Sequence, residues 1–170
     1  ISVAVNVAFK QFLQPNFINS VKEILQQTGL MPQFLEIEVT ENVIIKNAAV
    51  SEAIKELKNL GVKIVLDDFG TGNSSLGYLR SLPIDQLKID QSFIKDINKN
   101  HSDATIVKAI ISIANSLEFE VIAEGVENSL QMNFLRAIEC DKLQGYYFSY
   151  PLDPKTLEDL FTKKIPHTKP

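Results

Sequence analysis

The chain is 170 residues long and 45% hydrophobic, enough apolar material for one domain, spanning residues 1–170, with a sizeable core. Its 17 basic and 21 acidic residues give a formal net charge of −4 without a basic stripe, which excludes binding of duplex DNA or RNA by phosphate neutralisation. No apolar run is long enough to cross a bilayer and no charged-then-apolar leader is visible; the expected compartment is the cytoplasm, with any membrane anchor elsewhere in a longer parent.

Taken in order, short apolar runs alternate with longer segments of helical period. Val3–Val7 reads as a core strand, and because the chain opens directly on it, at Ile1, the sequence is expected to be a fragment. Phe17–Gln27 has a helical pattern broken at Gly29, and Leu35–Val39 is the second strand. Ala49–Leu60 is an amphipathic helix with Ile54, Leu57 and Leu60 at helical spacing, stopped by Gly61. Strand Val62–Leu66 follows at once. A short helix over Ser75–Ser81 ends before Pro83, and Gln86–Ile89 is the fourth strand. Helix Asp103–Leu117, strand Glu120–Ala123, helix Ser129–Ile138, strand Lys142–Gln144 and helix Pro154–Phe161 complete the alternation. This pattern predicts an α/β fold on a parallel sheet.

The residues that close these strands are Asn6, Glu38, Asp67 with Asp68, Lys88, Glu124 and Gln144. On an open doubly wound sheet only the strands at the crevice need polar ends, whereas in a (β/α) barrel every strand end faces a common centre. Polar closure of every strand therefore predicts a TIM-type (β/α)8 barrel. A complete barrel has eight units and this chain supplies about six, so the N-terminal units are expected to be missing.

Asn6, Glu38, Asp67 and Asp68 are hard oxygen donors suited to Mg2+ or Mn2+, and Glu124 adds a further carboxylate. Adjacent acids repel in a half-buried site, and a cation between them is the natural remedy. Neighbours on a strand point to opposite faces, so Asp67 and Asp68 share a ligand only where the strand frays into its loop. A shared carboxylate such as Asp67 would bridge two ions roughly 4 Å apart, the arrangement used for phosphodiester cleavage. Lys88 would orient the attacking water or offset charge on the phosphoryl oxygens. Each residue also has a bland reading: the Asp pair as a helix cap, Lys88 as a surface lysine, Glu38 as an edge charge. Their joint occurrence at matching strand ends favours a site.

Other chemistries fall away. Gly70-Thr71-Gly72 lacks the third glycine of a dinucleotide fingerprint, and no Walker Gly-Lys-Ser/Thr occurs. Asp68-Phe69-Gly70 matches a protein-kinase triplet without the catalytic-loop His-Arg-Asp. The lone Cys140 precludes a disulfide or thiolate cluster and reads as a small buried hydrophobe. His101 and His167, both in polar stretches, argue against a His-based zinc site or a Ser-His-Asp triad. The Gly-rich turn reads as a flexible loop beside the acids, with Glu41 a candidate to anchor it.

Several segments, in order, carry a resemblance: Val5-Asn6-Val7 with Gln11-Phe12, Glu36-Ile37-Glu38-Val39-Thr40-Glu41, and Leu66-Asp67-Asp68-Phe69-Gly70-Thr71-Gly72. Leu87-Lys88-Ile89-Asp90, Ile122-Ala123-Glu124-Gly125-Val126-Glu127, and Gln144-Gly145-Tyr146 before Pro151 complete the set. Together they resemble the EAL-domain family of cyclic-di-GMP phosphodiesterases from Val3 to about Leu160. The resemblance implies a modified TIM barrel whose first strand runs antiparallel to the rest. It implies that Asn6, Glu38 and Asp67 hold one metal ion and that Asp67, Asp68 and Glu124 serve a second, each Mg2+ or Mn2+. Lys88, Glu124 and Asp68 are the implied catalytic residues, with Lys88 and Gln144 positioning the nucleophilic water. Gln11, Asp90, Gln144 and Pro151 are the implied substrate contacts, and an aromatic or proline face near Tyr146–Pro151 would stack on guanine. Glu41 would pin the Asp68–Ser75 loop, which in the family bears on dimerisation, and Glu127 would support the same region; a homodimer is expected.

The sequence also departs from the family. The Glu-Ala-Leu motif that names it is absent, and with it a metal-ligating glutamate expected upstream of Asn6. Asn73 and Ala8 stand where tyrosine and serine are frequent. The implied function is hydrolysis of cyclic di-GMP to the linear dinucleotide by two-metal catalysis, in bacterial second-messenger signalling, within a parent fused to sensory or GGDEF domains. The alternative is a non-catalytic module that binds cyclic di-GMP or a protein partner. Short of one metal ligand and two barrel strands, the chain by itself is expected to be inactive or nearly so.

Overall fold

Six short strands form one sheet whose spatial order is the sequence order: β1 (Val3–Asn6), β2 (Leu35–Thr40), β3 (Lys63–Phe69), β4 (Gln86–Ile89), β5 (Glu120–Ala123) and β6 (Lys142–Leu143). Every neighbouring pair is parallel. The computed structural model describes residues 1–45, 48–70 and 76–162. The longer helices are α2 (Phe17–Thr28), α4 (Ala48–Asn59), α7 (His101–Ser116), α8 (Ser129–Ala137) and, after the last strand, α9 (Pro154–Thr162). The shorter ones are α1 (Phe9–Phe12), α3 (Glu41–Ile45), α5 (Leu76–Leu79) and α6 (Gln91–Lys95), and Pro32–Phe34 forms a 3-10 turn. No helix among the described residues is long and apolar enough to cross a membrane.

Side chains alternate across the sheet, as a period of two requires. One face carries Ile37, Val39, Ile64, Leu66, Leu87, Ile89, Val121 and Ala123, which form the core with Ile54 and Leu57 of α4, Val107 and Ala114 of α7 and Leu135 of α8. The other face is polar: Glu36, Glu38, Asp67, Gln86 and Lys88 are buried on it. Gln86 Nε2 donates to Glu36 Oε1 at 3.1 Å, and Lys142 Nζ lies 3.7 Å from the same oxygen and 3.0 Å from Glu120 Oε2. Strands four places apart in a flat sheet would be about 19 Å from each other, beyond the combined reach of a lysine and a glutamate. Lys142 of β6 meets Glu36 of β2 because the sheet curls, polar face inward. The even strands supply successive rungs, Glu36 with Gln86 and Lys142, then Glu38 with Lys88, while Val65 and Ile122 of the odd strands fill between them. Layers drawn from alternate strands are the interior of a TIM barrel.

β3 differs from its expected extent. The apolar run ends at Leu66, yet the strand continues to Phe69, which is buried in the core. Val65 pairs with Gln86 and Leu66 with Leu87, but the next partners are Phe69 and Ile89. Asp67 and Asp68 thus oppose the single residue Lys88, which is a β-bulge. Asp68 has φ +57°, a left-handed conformation that Asp adopts more readily than most residues, and its N–H donates to Asp67 Oδ1 at 2.9 Å. The acids are brought together by this extra residue inside the strand, not by fraying at its end.

Candidate active site at the strand ends

β4 carries Lys88 onto the concave face, where 3% of its side chain is exposed. A lysine so enclosed needs partners. Its Nζ lies 3.0 Å from Glu38 Oε1, 3.4 Å from Asp67 Oδ1 and 2.5 Å from Glu124 Oε1. These carboxylates come from β2, from β3 and from the residue following β5, so one ammonium ties neighbouring and non-neighbouring strands at their C-terminal ends.

Burial alone would lower the Lys88 pKa, but its hydrogen bonds to Glu124 and Glu38 and the charges of Glu124 and Asp67 hold it above the ordinary value. Glu124 is raised by burial, with Asp67 and Glu38 adding to the rise and Lys88 opposing it. Asp68 is also raised by burial and by the charges of Asp67 and Asp90, against Lys88. One ammonium does not balance the acids gathered round it.

Asn6, exposed at the end of β1, pairs in register with Glu38 and so shares its face. Asp90 is the N-cap of α6, its Oδ1 accepting the Ser92 N–H at 2.9 Å. Gln144 and Pro151 are exposed and line, with Glu38 and Tyr146, a concave-side cleft of about 710 Å³. Gln144 also borders a smaller cleft of about 220 Å³ with Glu124, Glu127 and Gln91. Glu127 presents an exposed side chain, and it is its backbone N–H that is held, by Gln131 Oε1 at 2.7 Å. Glu41, 5% exposed at the start of α3, has an Oε2 with no hydrogen-bond partner among the described residues. The loop it is expected to pin lies, over residues 71–75 and including Asn73, outside the described residues. Gln11 is not brought to the cluster. Its Oε1 accepts the Ala8 N–H at 2.9 Å, and it borders an apolar groove with Val5, Val7 and Ile37, on the helix side of the sheet.

Among the described residues no three His, Cys, Asp or Glu side chains converge as a metal centre would; Glu38, Asp67 and Glu124 are drawn to Lys88 instead. In kind the donors fit hard dications: Asn6, Glu38, Asp67, Asp68 and Glu124 offer only oxygen. Burial first, and then the neighbouring acids, hold the pKa values of Asp68 and Glu124 up, and a dication bound among them would favour their ionised forms. Two features escape a reading for strand-end residues alone. The inner rung of Glu36, Gln86 and Lys142 has a signal in the polar–apolar–polar triplets Glu36-Ile37-Glu38, Gln86-Leu87-Lys88 and Lys142-Leu143-Gln144. Gln131, buried in α8, has a different signal: it is the third helical residue of a capping box, Asn128-Ser129-Leu130-Gln131.

A curled parallel α/β sheet with a lysine and several acids at its strand ends defines a barrel-type domain with its chemistry on the C-terminal side of the strands. The chain matches the family described as "EAL domain" over residues 1–151 and belongs to that family. It is 46% identical over 158 residues to "Cyclic di-GMP phosphodiesterase NbdA" of Pseudomonas aeruginosa, covering 92% of this chain and 20% of that protein. It is 40% identical over 157 residues to "Bifunctional diguanylate cyclase/cyclic di-GMP phosphodiesterase MucR" of the same species, covering 92% of this chain and 23% of that protein. A solved structure of the MucR phosphodiesterase in complex with c-di-GMP superposes with a TM-score of 0.86 at 39% identity, covering 92% of this chain and 64% of that one. The EAL domain of Mycobacterium smegmatis DcpA gives a TM-score of 0.90 at 35% identity, over 96% of this chain and 74% of that one. The chain thus spans about a fifth of the length of NbdA and MucR.

Proposed function

We propose that this chain is the catalytic portion of a cyclic-di-GMP phosphodiesterase that hydrolyses the cyclic dinucleotide to the linear one. The observation that carries the reading is Lys88 held by Glu38, Asp67 and Glu124 at the strand ends, in a chain of the EAL family. The descriptions of NbdA and MucR as cyclic di-GMP phosphodiesterases support it. Asn6, Glu38 and Asp67 would hold one Mg2+ or Mn2+, and Asp67, Asp68 and Glu124 a second; such ions acidify water and neutralise phosphoryl charge.

The chain's own side chains do the rest. Lys88 orients the carboxylates and, as an enclosed cation, offsets charge that develops on the phosphoryl oxygens. Glu124, in contact with Lys88 at the end of β5, is placed to take the proton of the attacking water. Gln144 positions that water, and Pro151 with Tyr146 stacks on guanine. The bifunctional description of MucR supports a fused diguanylate cyclase domain in the parent.

Turnover requires more of the barrel than this chain supplies. The test compares cyclic-di-GMP hydrolysis, with Mg2+ or Mn2+, by this chain and by one extended at its N-terminus by two βα units. Linear dinucleotide from the extended chain only is the expected product pattern. Tight nucleotide binding without hydrolysis by either chain would favour the non-catalytic module.

A further inference from the structure

We propose that Gln131 is a positioning residue that fixes the spacing of Asp68, Asp90 and Glu124 by locking the turn after β5 onto α6. The proposal rests on the phosphodiesterase reading. Gln131 is 2% exposed, and its amide is fully engaged. Oε1 accepts the N–H of Glu127 at 2.7 Å and of Asn128 at 3.2 Å, while Nε2 donates to the carbonyls of Ile94 and Lys95, each at 3.1 Å. Two donors and one oxygen with two lone pairs are all that a glutamine has.

Its partners lie on the two segments that carry chemistry. Glu127 belongs to the turn that leaves Glu124, and Ile94 and Lys95 close the helix that Asp90 caps. That helix, α6, is five residues long, too short to hold its own position. Besides the buried Ile94 and the packing of α6 on α7, three neighbours seat it. A Cβ on Gly125, the residue after Glu124, would stand 2.6 Å from Gln91 Cβ, so the turn after β5 is seated directly on the first residue of α6. A Cβ on Gly70, two residues after Asp68, would stand 2.8 Å from the Phe93 ring, so the segment leaving the bulge is seated on its middle. Gln131 grips its C-terminal end. α6 is therefore a wedge between the two acid-bearing segments, with Asp90 at its tip, and Gln131 closes the assembly from the α8 side.

The test pairs Gln131→Met, which keeps length and bulk but makes none of the four bonds, with Leu135→Ala, which opens a cavity in the core from the same helix. Amide hydrogen exchange on this chain is expected to quicken about tenfold at Glu127 and Asn128 in Gln131→Met, the loss of about one hydrogen bond's worth of protection. In the extended phosphodiesterase kcat is expected to fall about a hundredfold at near-constant KM, the effect of misplacing reacting groups by about 1 Å. Leu135→Ala should lower the melting temperature at least as far while leaving kcat within about twofold, since it moves no acid. Unchanged exchange at Glu127 and Asn128, or an equal loss of kcat in Leu135→Ala, would overturn the proposal. If the extended wild-type protein hydrolyses nothing, the functional reading fails, and the exchange result alone decides whether Gln131 braces the turn.

Discussion

Lys88 holds together groups that would otherwise repel. Glu38 and Asp67 are 7% and 8% exposed, and the ammonium is the cation that contacts both. Removing one partner of a buried ion cluster leaves uncompensated charge, which typically costs about 3–5 kcal/mol. Lys88→Met should destabilise the chain by that order in urea denaturation with EDTA present, and Lys88→Met/Glu38→Gln should recover part of the loss. Strict additivity in the double variant would contradict the coupling. Asp68 and Glu124 both have folded pKa values above their ordinary ones. Where the folded state holds its protons longer than the unfolded chain, stability is fully present below the unfolded pKa and is lost as pH rises through the folded value. The acid cluster should therefore lose stability as pH climbs through and above the ordinary carboxylate range, and Glu124→Gln should flatten that dependence. Mn2+ should flatten it too, because a dication favours the ionised acids. Cys140 is a separate case: burial pushes its thiol up to about 11, with its Sγ donating to the Lys142 carbonyl at 3.4 Å. Alkylation of Cys140 at pH 8 should be far slower in the folded chain than in urea; equal rates would refute the buried, neutral thiol.

The same economy of means holds for whole elements. The aspartate before β4 and the aspartate before β6 do one job: Asp85 Oδ2 accepts the Ile64 N–H and Asp141 Oδ2 the Val121 N–H, each at 2.8 Å. Each pins the start of the preceding strand to the next. Asp141→Ala strands the Val121 N–H and should cost about 1–3 kcal/mol in chemical denaturation, whereas Asp141→Asn, which keeps an acceptor, should cost less. Gly145 carries a steeper demand, since a Cβ there would stand 2.1 Å from the Val126 carbonyl oxygen. Gly145→Ala should lower stability by about 2–3 kcal/mol and displace the Gln144 segment from the cleft. The long helices α2, α4, α7 and α8 were readable in the sequence to within two residues at either end because their apolar residues repeat over full turns, and the four-residue strands β4 and β5 fall where the alternation of runs puts them. The short helices α1, α3 and α6 were not, because four or five residues do not complete enough turns to show a period, and no proline marks their ends as Pro83 does for the equally short α5. The β3 bulge left no trace in composition either. Adjacent acids after an apolar run look like a strand ending, and only pairing with β4 shows that Asp67 and Asp68 share Lys88 as partner.

On the scale of the molecule, the curl of the sheet turns separate strand ends into one site. Polar residues at matching strand ends were enough to infer a barrel and to pick out Glu38, Asp67, Lys88 and Glu124, which the structure brings into contact. Gln11, implied by the resemblance alone, lies beside an apolar groove on the helix side of the sheet. The inner face below the site is polar too, where Glu36, Gln86 and Lys142 take the place of the aliphatic layers usual in such barrels. We propose that acids aligned by the β3 bulge and Lys88 support metal-dependent phosphodiester cleavage. This is tested most directly by the Mn2+ dependence of cyclic-di-GMP hydrolysis in the extended chain, wild type against Asp67→Ala. Saturable Mn2+-dependent turnover is expected in the wild type, with a loss of about a thousandfold or more in Asp67→Ala if that residue serves both proposed ions. Turnover indifferent to Mn2+, or retained in Asp67→Ala, would contradict it.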